Sequence, residues 1–78
     1  MVKNDMRAED GSKNLVGPRV RALRQKAGLS QEELAKKCGV SRQTVNAIEN
    51  DKYDPTLALA FSLAKELGTT VDELFNSV

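Results

Sequence analysis

The chain has 78 residues, 40% of them hydrophobic and 29% charged, with a formal net charge of +1, which admits one small domain around a single apolar core. Its single cysteine, Cys38, and its lack of histidine exclude an internal disulfide and a Cys/His metal cluster, and no cofactor or small-molecule ligand is expected. No apolar run reaches signal-peptide or membrane-span length, so the expectation is a soluble, cytoplasmic protein with no membrane partner.

Residues 1–17 set Lys3, Arg7 and Lys13 against Asp5, Glu9 and Asp10 without apolar periodicity, which predicts a flexible leader before a domain over 18–78. Pro18 suits the first position of helix 1, where its missing N–H costs nothing. Val20, Leu23 and Ala27 would form that helix's core face, and Gly28 ends it. Ser30 and Glu33 have the spacing of a capping box, so helix 2 begins at Gln31. It buries Leu34, Ala35 and Cys38 and stops near Cys38, because Gly39 follows where a left-handed cap needs no Cβ.

Ser41 caps helix 3, whose inward residues are Val45 and Ile48; Arg42, Gln43, Thr44, Asn46 and Ala47 are left outside. A helix of about ten residues is unstable alone in water, so its neighbours must hold it. Asp51, Lys52, Tyr53, Asp54 and Pro55 form a turn. Thr56 then caps helix 4, in which Leu57, Ala58, Leu59, Ala60, Phe61, Leu63, Ala64 and Leu67 leave almost no polar face. That pattern predicts a mostly buried helix with Phe61 as its largest anchor, whose truncation would cost about 3–5 kcal/mol. Gly68 closes it, Thr70 and Glu73 make a second capping box, and Val71, Leu74 and Phe75 line a short helix 5. No segment alternates with the period of a strand, so the fold class is all-α.

The small net charge hides a separation. Residues 18–53 carry Arg19, Arg21, Arg24, Lys26, Lys36, Lys37, Arg42 and Lys52 against Glu32, Glu33, Glu49 and Asp51, a net +4. Residues 54–78 carry Lys65 against Asp54, Glu66, Asp72 and Glu73, a net −3. Such an asymmetry would orient the molecule on a phosphate surface.

Gln31, Ala35, Gly39, Val40, Ser41 and the Ile-Glu-Asn run of residues 48–50 resemble the helix-turn-helix of the Cro/C1-type (XRE-like) family of bacterial and phage transcription regulators. The likeness extends through Arg-Ala-Leu-Arg before it and Leu-Ala-Lys-Glu-Leu-Gly after it, over residues 19–75. It implies a compact five-helix lambda-repressor-like domain, with helices 2 and 3 as the helix-turn-helix and helix 3 in the DNA major groove. On that expectation Arg42, Gln43, Thr44, Asn46 and Ala47 read base edges, with Arg42 suited to guanine and Gln43 to adenine. Arg19, Arg21, Gln31, Ser41, Asn50, Lys52 and Tyr53 would hold phosphates, Gln31 with help from its helix dipole. Taken singly, Gln31 is equally a good first-turn residue, Asn50 a C-cap, and the lysines a solvated face.

The resemblance also pairs Arg24 with Glu49, although the residues alone leave open a solvated pair worth under about 1 kcal/mol. Family members often carry glycine where Asp51 stands, so a left-handed backbone there would be less comfortable for this chain. One module contacts few base pairs, which implies a homodimer on double-stranded DNA; Leu74, Phe75 and Val78 are the expected dimer contacts, with capping of the bundle the alternative. The resulting expectation is a sequence-specific DNA-binding regulator acting as a repressor. An antitoxin-type module that binds a partner protein and DNA is the alternative. Enzymatic function is set aside, for there is no histidine, Gly-rich phosphate loop or room for a deep pocket.

Overall fold

The computed structural model describes residues 16–75. Five α-helices follow in order: α1 (Val16–Lys26), α2 (Gln31–Cys38), α3 (Arg42–Glu49), α4 (Leu57–Leu67) and α5 (Val71–Phe75). The expectations for residues 1–15 and for Val78 lie outside the described residues.

Local chemistry sets most of the boundaries. Ser30 Oγ accepts from Glu33 N at 3.0 Å while Glu33 Oε1 accepts from Ser30 N at 2.8 Å, so two orphan donors of α2 are satisfied reciprocally. The Ser30 backbone N–H, with a smaller contribution from the Ser30 hydroxyl, holds the Glu33 carboxyl below its ordinary range. Thr56 Oγ1 caps α4 by accepting from Leu59 N at 3.1 Å, and Thr70 Oγ1 accepts from Glu73 N at 3.1 Å. At the other end of α2, Gly39 takes φ 71°, which lets its N–H reach Lys36 O while Val40 N reaches Ala35 O at 2.9 Å. The same pair of bonds, Asp51 N to Ile48 O and Lys52 N to Ala47 O, closes α3, with Asp51 at φ 59°.

The start of α1 departs from expectation. Val16 and Gly17 are already helical, so Pro18 is not the first residue of α1. The cap comes from far along the chain: Asp51 Oδ1 accepts from Gly17 N at 3.2 Å, placing a carboxylate at the positive end of α1. Gly17 is buried against the end of α3, where an added Cβ would sit 2.5 Å from Glu49 O. Only glycine permits that approach.

The core is formed by Val20, Leu34, Ala35, Val45, Ile48, Leu59, Leu63, Ala64, Leu67 and Leu74, with Val16, Leu23, Leu29, Cys38, Val40 and Val71 half-buried around it. Helix α3 packs on α1 and α2, while α4 packs on α2 and α1, and α5 closes the α1–α4 side. Several residues expected in the core are exposed. Ala27 lies past the last turn of α1 and is exposed, since the helix ends at Lys26. Phe61 is 59% exposed and Leu57 68% exposed. In α4, Leu59, Ala60, Leu63, Ala64 and Leu67 make the buried stripe, and Leu57, Ala58, Phe61 and Lys65 lie on the other side. A uniformly apolar helix carries no periodic signal, so its buried face was not readable. Leu63, fully buried, replaces Phe61 as the anchor.

Urea denaturation should therefore rank the two truncations in the reverse of their size. Leu63→Ala is expected to cost about 2–5 kcal/mol and Phe61→Ala under about 1 kcal/mol.

Candidate nucleic-acid interface

With eight residues, α3 makes little more than two turns, and its 3.6-residue period sorts them by face. Val45, Ile48 and Glu49 point inward; Arg42, Gln43 and Asn46 are exposed; Thr44 and Ala47 lie half-buried at the rim. Ser41 Oγ caps the helix by accepting from Thr44 N at 3.2 Å and lies 3.0 Å from Thr44 Oγ1, so the first turn is fixed before any ligand arrives. Arg42 and Gln43 thus project from the amino end of α3, where the helix dipole is positive and no acidic residue occupies the first turn.

The carboxyl end is held by a buried charge. Glu49 is 2% exposed, yet its carboxylate accepts from Arg24 Nε at 2.6 Å, Arg24 Nη2 at 3.2 Å and Gln31 Nε2 at 2.9 Å. Arg24 also donates to Leu29 O at 2.9 Å, so one guanidinium ties α1, the α1–α2 turn and α3 together. Burial pushes the Glu49 carboxyl upward, but the hydrogen bonds from Arg24 and Gln31 and the charges of Arg24 and Arg21 outweigh it and hold the group below the usual carboxylate range. Its hydrogen bond to Glu49 raises the Arg24 pKa in turn.

From Glu49 a series of polar side chains runs out to the surface. Gln31 Oε1 accepts from Asn46 Nδ2 at 3.3 Å. Asn50 Nδ2 donates to Asn46 O at 2.8 Å and to Asn46 Oδ1 at 3.4 Å. Arg21 Nη2 donates to Asn50 Oδ1 at 3.2 Å, and Arg21 Nε lies 3.5 Å from Glu49 Oε1. Asn46 and Asn50 stand four apart on consecutive turns, a spacing visible in the sequence. That Arg21 and Gln31 complete a ring with them required the placement of three helices.

The residues expected to hold phosphate fall into two groups. Arg21, Gln31, Ser41, Asn50, Lys52 and Tyr53 lie on or beside the ends of α2 and α3, with Lys52 exposed and Tyr53 45% exposed. Arg19 does not join them. Its Nη1 donates to Glu73 O at 3.1 Å and Leu74 O at 3.3 Å, placing a cation on the carboxyl end of α5 instead. The expected dimer contact is corrected too, because Leu74 is fully buried in the core and has no surface to offer, whereas Phe75 is 38% exposed.

Removing one partner of the buried pair strands the other charge. Arg24→Met is expected to cost about 3–5 kcal/mol in urea denaturation, and Arg24→Met/Glu49→Leu to recover most of it. Because the folded Glu49 pKa lies below the unfolded value of about 4.3, its contribution is complete above that pH and is lost as pH falls through the folded value. Acid titration of the unfolding midpoint should show this loss below about pH 4, with a shallower acid limb in Glu49→Gln.

The helix-turn-helix family model matches residues 20–74. An HTH-type transcriptional regulator of Methanocaldococcus jannaschii is 60% identical over 47 residues, which cover 60% of this chain and 71% of that protein. The P22 c2 repressor, solved in complex with a synthetic operator, superposes with a TM-score of 0.78 at 30% identity, over 81% of this chain and 96% of that one. SinR of Bacillus subtilis, solved in complex with DNA, gives a TM-score of 0.73 at 27% identity, over 78% and 98%. The fold, the capped α2–α3 unit and these likenesses agree, and the chain belongs to the Cro/C1-type (XRE-like) helix-turn-helix family of transcriptional regulators.

Proposed function

We propose that the protein is a sequence-specific double-stranded DNA-binding repressor that places α3 in the major groove. The observation that carries this reading is the outer face of α3. Arg42, Gln43 and Asn46 are exposed on a helix whose opposite face and both ends are fixed by the core, by Ser41 and by Glu49. Two protruding turns bearing a guanidinium and two amides match the width and the donor-acceptor edges of the groove. The operator-bound P22 c2 repressor and DNA-bound SinR, similar in fold and sequence, support it. In this reading Arg42 pairs with guanine and Gln43 with adenine, Thr44 and Ala47 offer methyl contacts to thymine, and Arg21, Ser41, Asn50, Lys52 and Tyr53 flank the groove at phosphates.

The active species is a homodimer on a two-fold site, with half-sites about 34 Å apart. Its contact is the α4–α5 edge. Leu57, Phe61 and Phe75 are large and exposed there, and Pro55, Leu57, Ala60, Val71 and Phe75 line an open groove of about 290 Å³. Leu57 and Phe61, four apart on α4, form one continuous patch of the kind that marks an association surface.

Selection from a random duplex library is expected to enrich one operator. Arg42→Ala should then lose about 1–3 kcal/mol and relax preference at a single guanine, while Lys52→Ala weakens all sequences alike and lowers the salt slope by about 0.9. For the dimer, Phe61→Glu is expected to sediment as a monomer at concentrations where the parent chain is dimeric, with little change in thermal unfolding. A dimeric Phe61→Glu would move the interface elsewhere.

A further inference from the structure

The ring of side chains at the end of α3 has a direction. Gln31, Asn46 and Asn50 are carboxamides, whose oxygen and nitrogen ends have nearly the same shape, so each could sit in either of two orientations. The charged groups that bound the series remove that freedom. Glu49 is a carboxylate and only accepts, so Gln31 must turn Nε2 toward it at 2.9 Å. Gln31 Oε1 is then the end presented to α3, and Asn46 must donate Nδ2 to it at 3.3 Å. Asn46 Oδ1 is left toward Asn50 Nδ2, at 3.4 Å the longest link among the amides, and Asn50 also anchors that nitrogen on Asn46 O at 2.8 Å. Asn50 Oδ1 consequently faces Arg21, a guanidinium that only donates, at 3.2 Å. Starting from Arg21 and walking back gives the same orientations, so the two charged ends agree.

We infer that this polarised series makes Gln31 and Glu49 positioning residues for base recognition, acting through Asn46. With one N–H given to Gln31 and one lone pair given to Asn50, Asn46 keeps one donor and one acceptor in a fixed order on the exposed face of α3. That pair of groups complements adenine N7 and N6. A flipped Asn46 would exchange the two and lose the match. Gln31 therefore acts in sequence reading from a neighbouring helix, its amide orientation fixed by giving one N–H to Glu49 and accepting from Asn46. The inference deepens the DNA-binding reading and rests on it.

The test uses the full chain, a random duplex DNA library and affinities at two salt concentrations. Gln31→Met keeps the length of a half-buried side chain but cuts the series between Glu49 and Asn46. Asn50→Ala cuts it on the other side. Both variants are expected to lose a roughly 5- to 100-fold preference for adenine at one and the same operator position. The other positions and the salt slope of Gln31→Met should be unchanged. Uniform weakening in Gln31→Met with a salt slope shallower by about 0.9 would make Gln31 a phosphate clamp and overturn the inference. So would a selection profile identical to the parent's. A parent chain that enriches no sequence overturns the DNA reading itself. One measurement needs no DNA: the Asn46 side-chain N–H₂ signals should be protected from exchange in the parent and lose that protection in Gln31→Met. Unprotected signals in the parent would show that the ring does not form.

Discussion

A buried carboxylate at the last turn of a two-turn helix is the constraint on which this structure depends. Eight residues of α3 cannot hold a helix by themselves, and Val45 and Ile48 supply only a narrow apolar grip on the core. A stripe that narrow fixes how deep a helix sits better than how it is rotated. Glu49 fixes the rotation, because its two oxygens must meet donors from α1 and α2 at the same time. The net stability of such a pair is small, since desolvation offsets most of the attraction. Its effect is on geometry: any rotation of α3 that turns Glu49 away from Arg24 leaves two charges unpaired in the interior. The side chains opposite Glu49 are thereby aimed outward with little freedom.

Much of this architecture was legible because it is set by contacts close in sequence. Ser30 with Glu33, Ser41 with Thr44, and Thr56 with Leu59 are caps three residues apart, and Gly39 and Gly68 mark helix ends by their tolerance of positive φ. Where a boundary or a face was set from a distance, the sequence was silent or misleading. The Gly17 N–H in the first turn described for α1 is satisfied by Asp51, 34 residues away, a partner that no local pattern announces. In α4 the apolar residues lie on every side, and only the packing of α1, α2 and α5 decides that Leu63 is buried and Phe61 is not.

The candidate site divides along the same line. Which residues of α3 face outward follows from the 3.6 period and was readable directly. Which flanking residues join them depends on the rotation of other helices. Arg19 and Arg21 are two apart on α1, about 200° around the axis, so they cannot serve the same face. Arg21 and Arg24, three apart, do share one and meet Asn50 and Glu49 on it, whereas Arg19 reaches the carbonyls of α5. Helical geometry alone thus forbade grouping Arg19 with Arg21, although choosing between them needed the position of α3. Gln31 is the subtler case. Its place at the start of α2 suggested a phosphate partner, but a buried acceptor 2.9 Å away competes for its amide.

Asp51 shows how an unfavourable local choice is absorbed by the tertiary structure. An aspartate at φ 59° costs roughly 1 kcal/mol relative to glycine, and it sets a negative charge beside a surface meant for phosphates. The backbone there is nonetheless over-determined by the two bonds that close α3, from Asp51 N to Ile48 O and from Lys52 N to Ala47 O. The side chain then does what glycine could not, accepting from Gly17 N at the positive end of the α1 dipole. Part of its charge is answered within the protein, and Lys52 follows immediately on the exposed turn. The close approach of Gly17 to Glu49 O completes the arrangement, since without a Cβ the start of α1 can lie directly on the end of α3. Each helix end thus stabilises the other, and the same few residues that terminate α3 also hold the first described turn of α1.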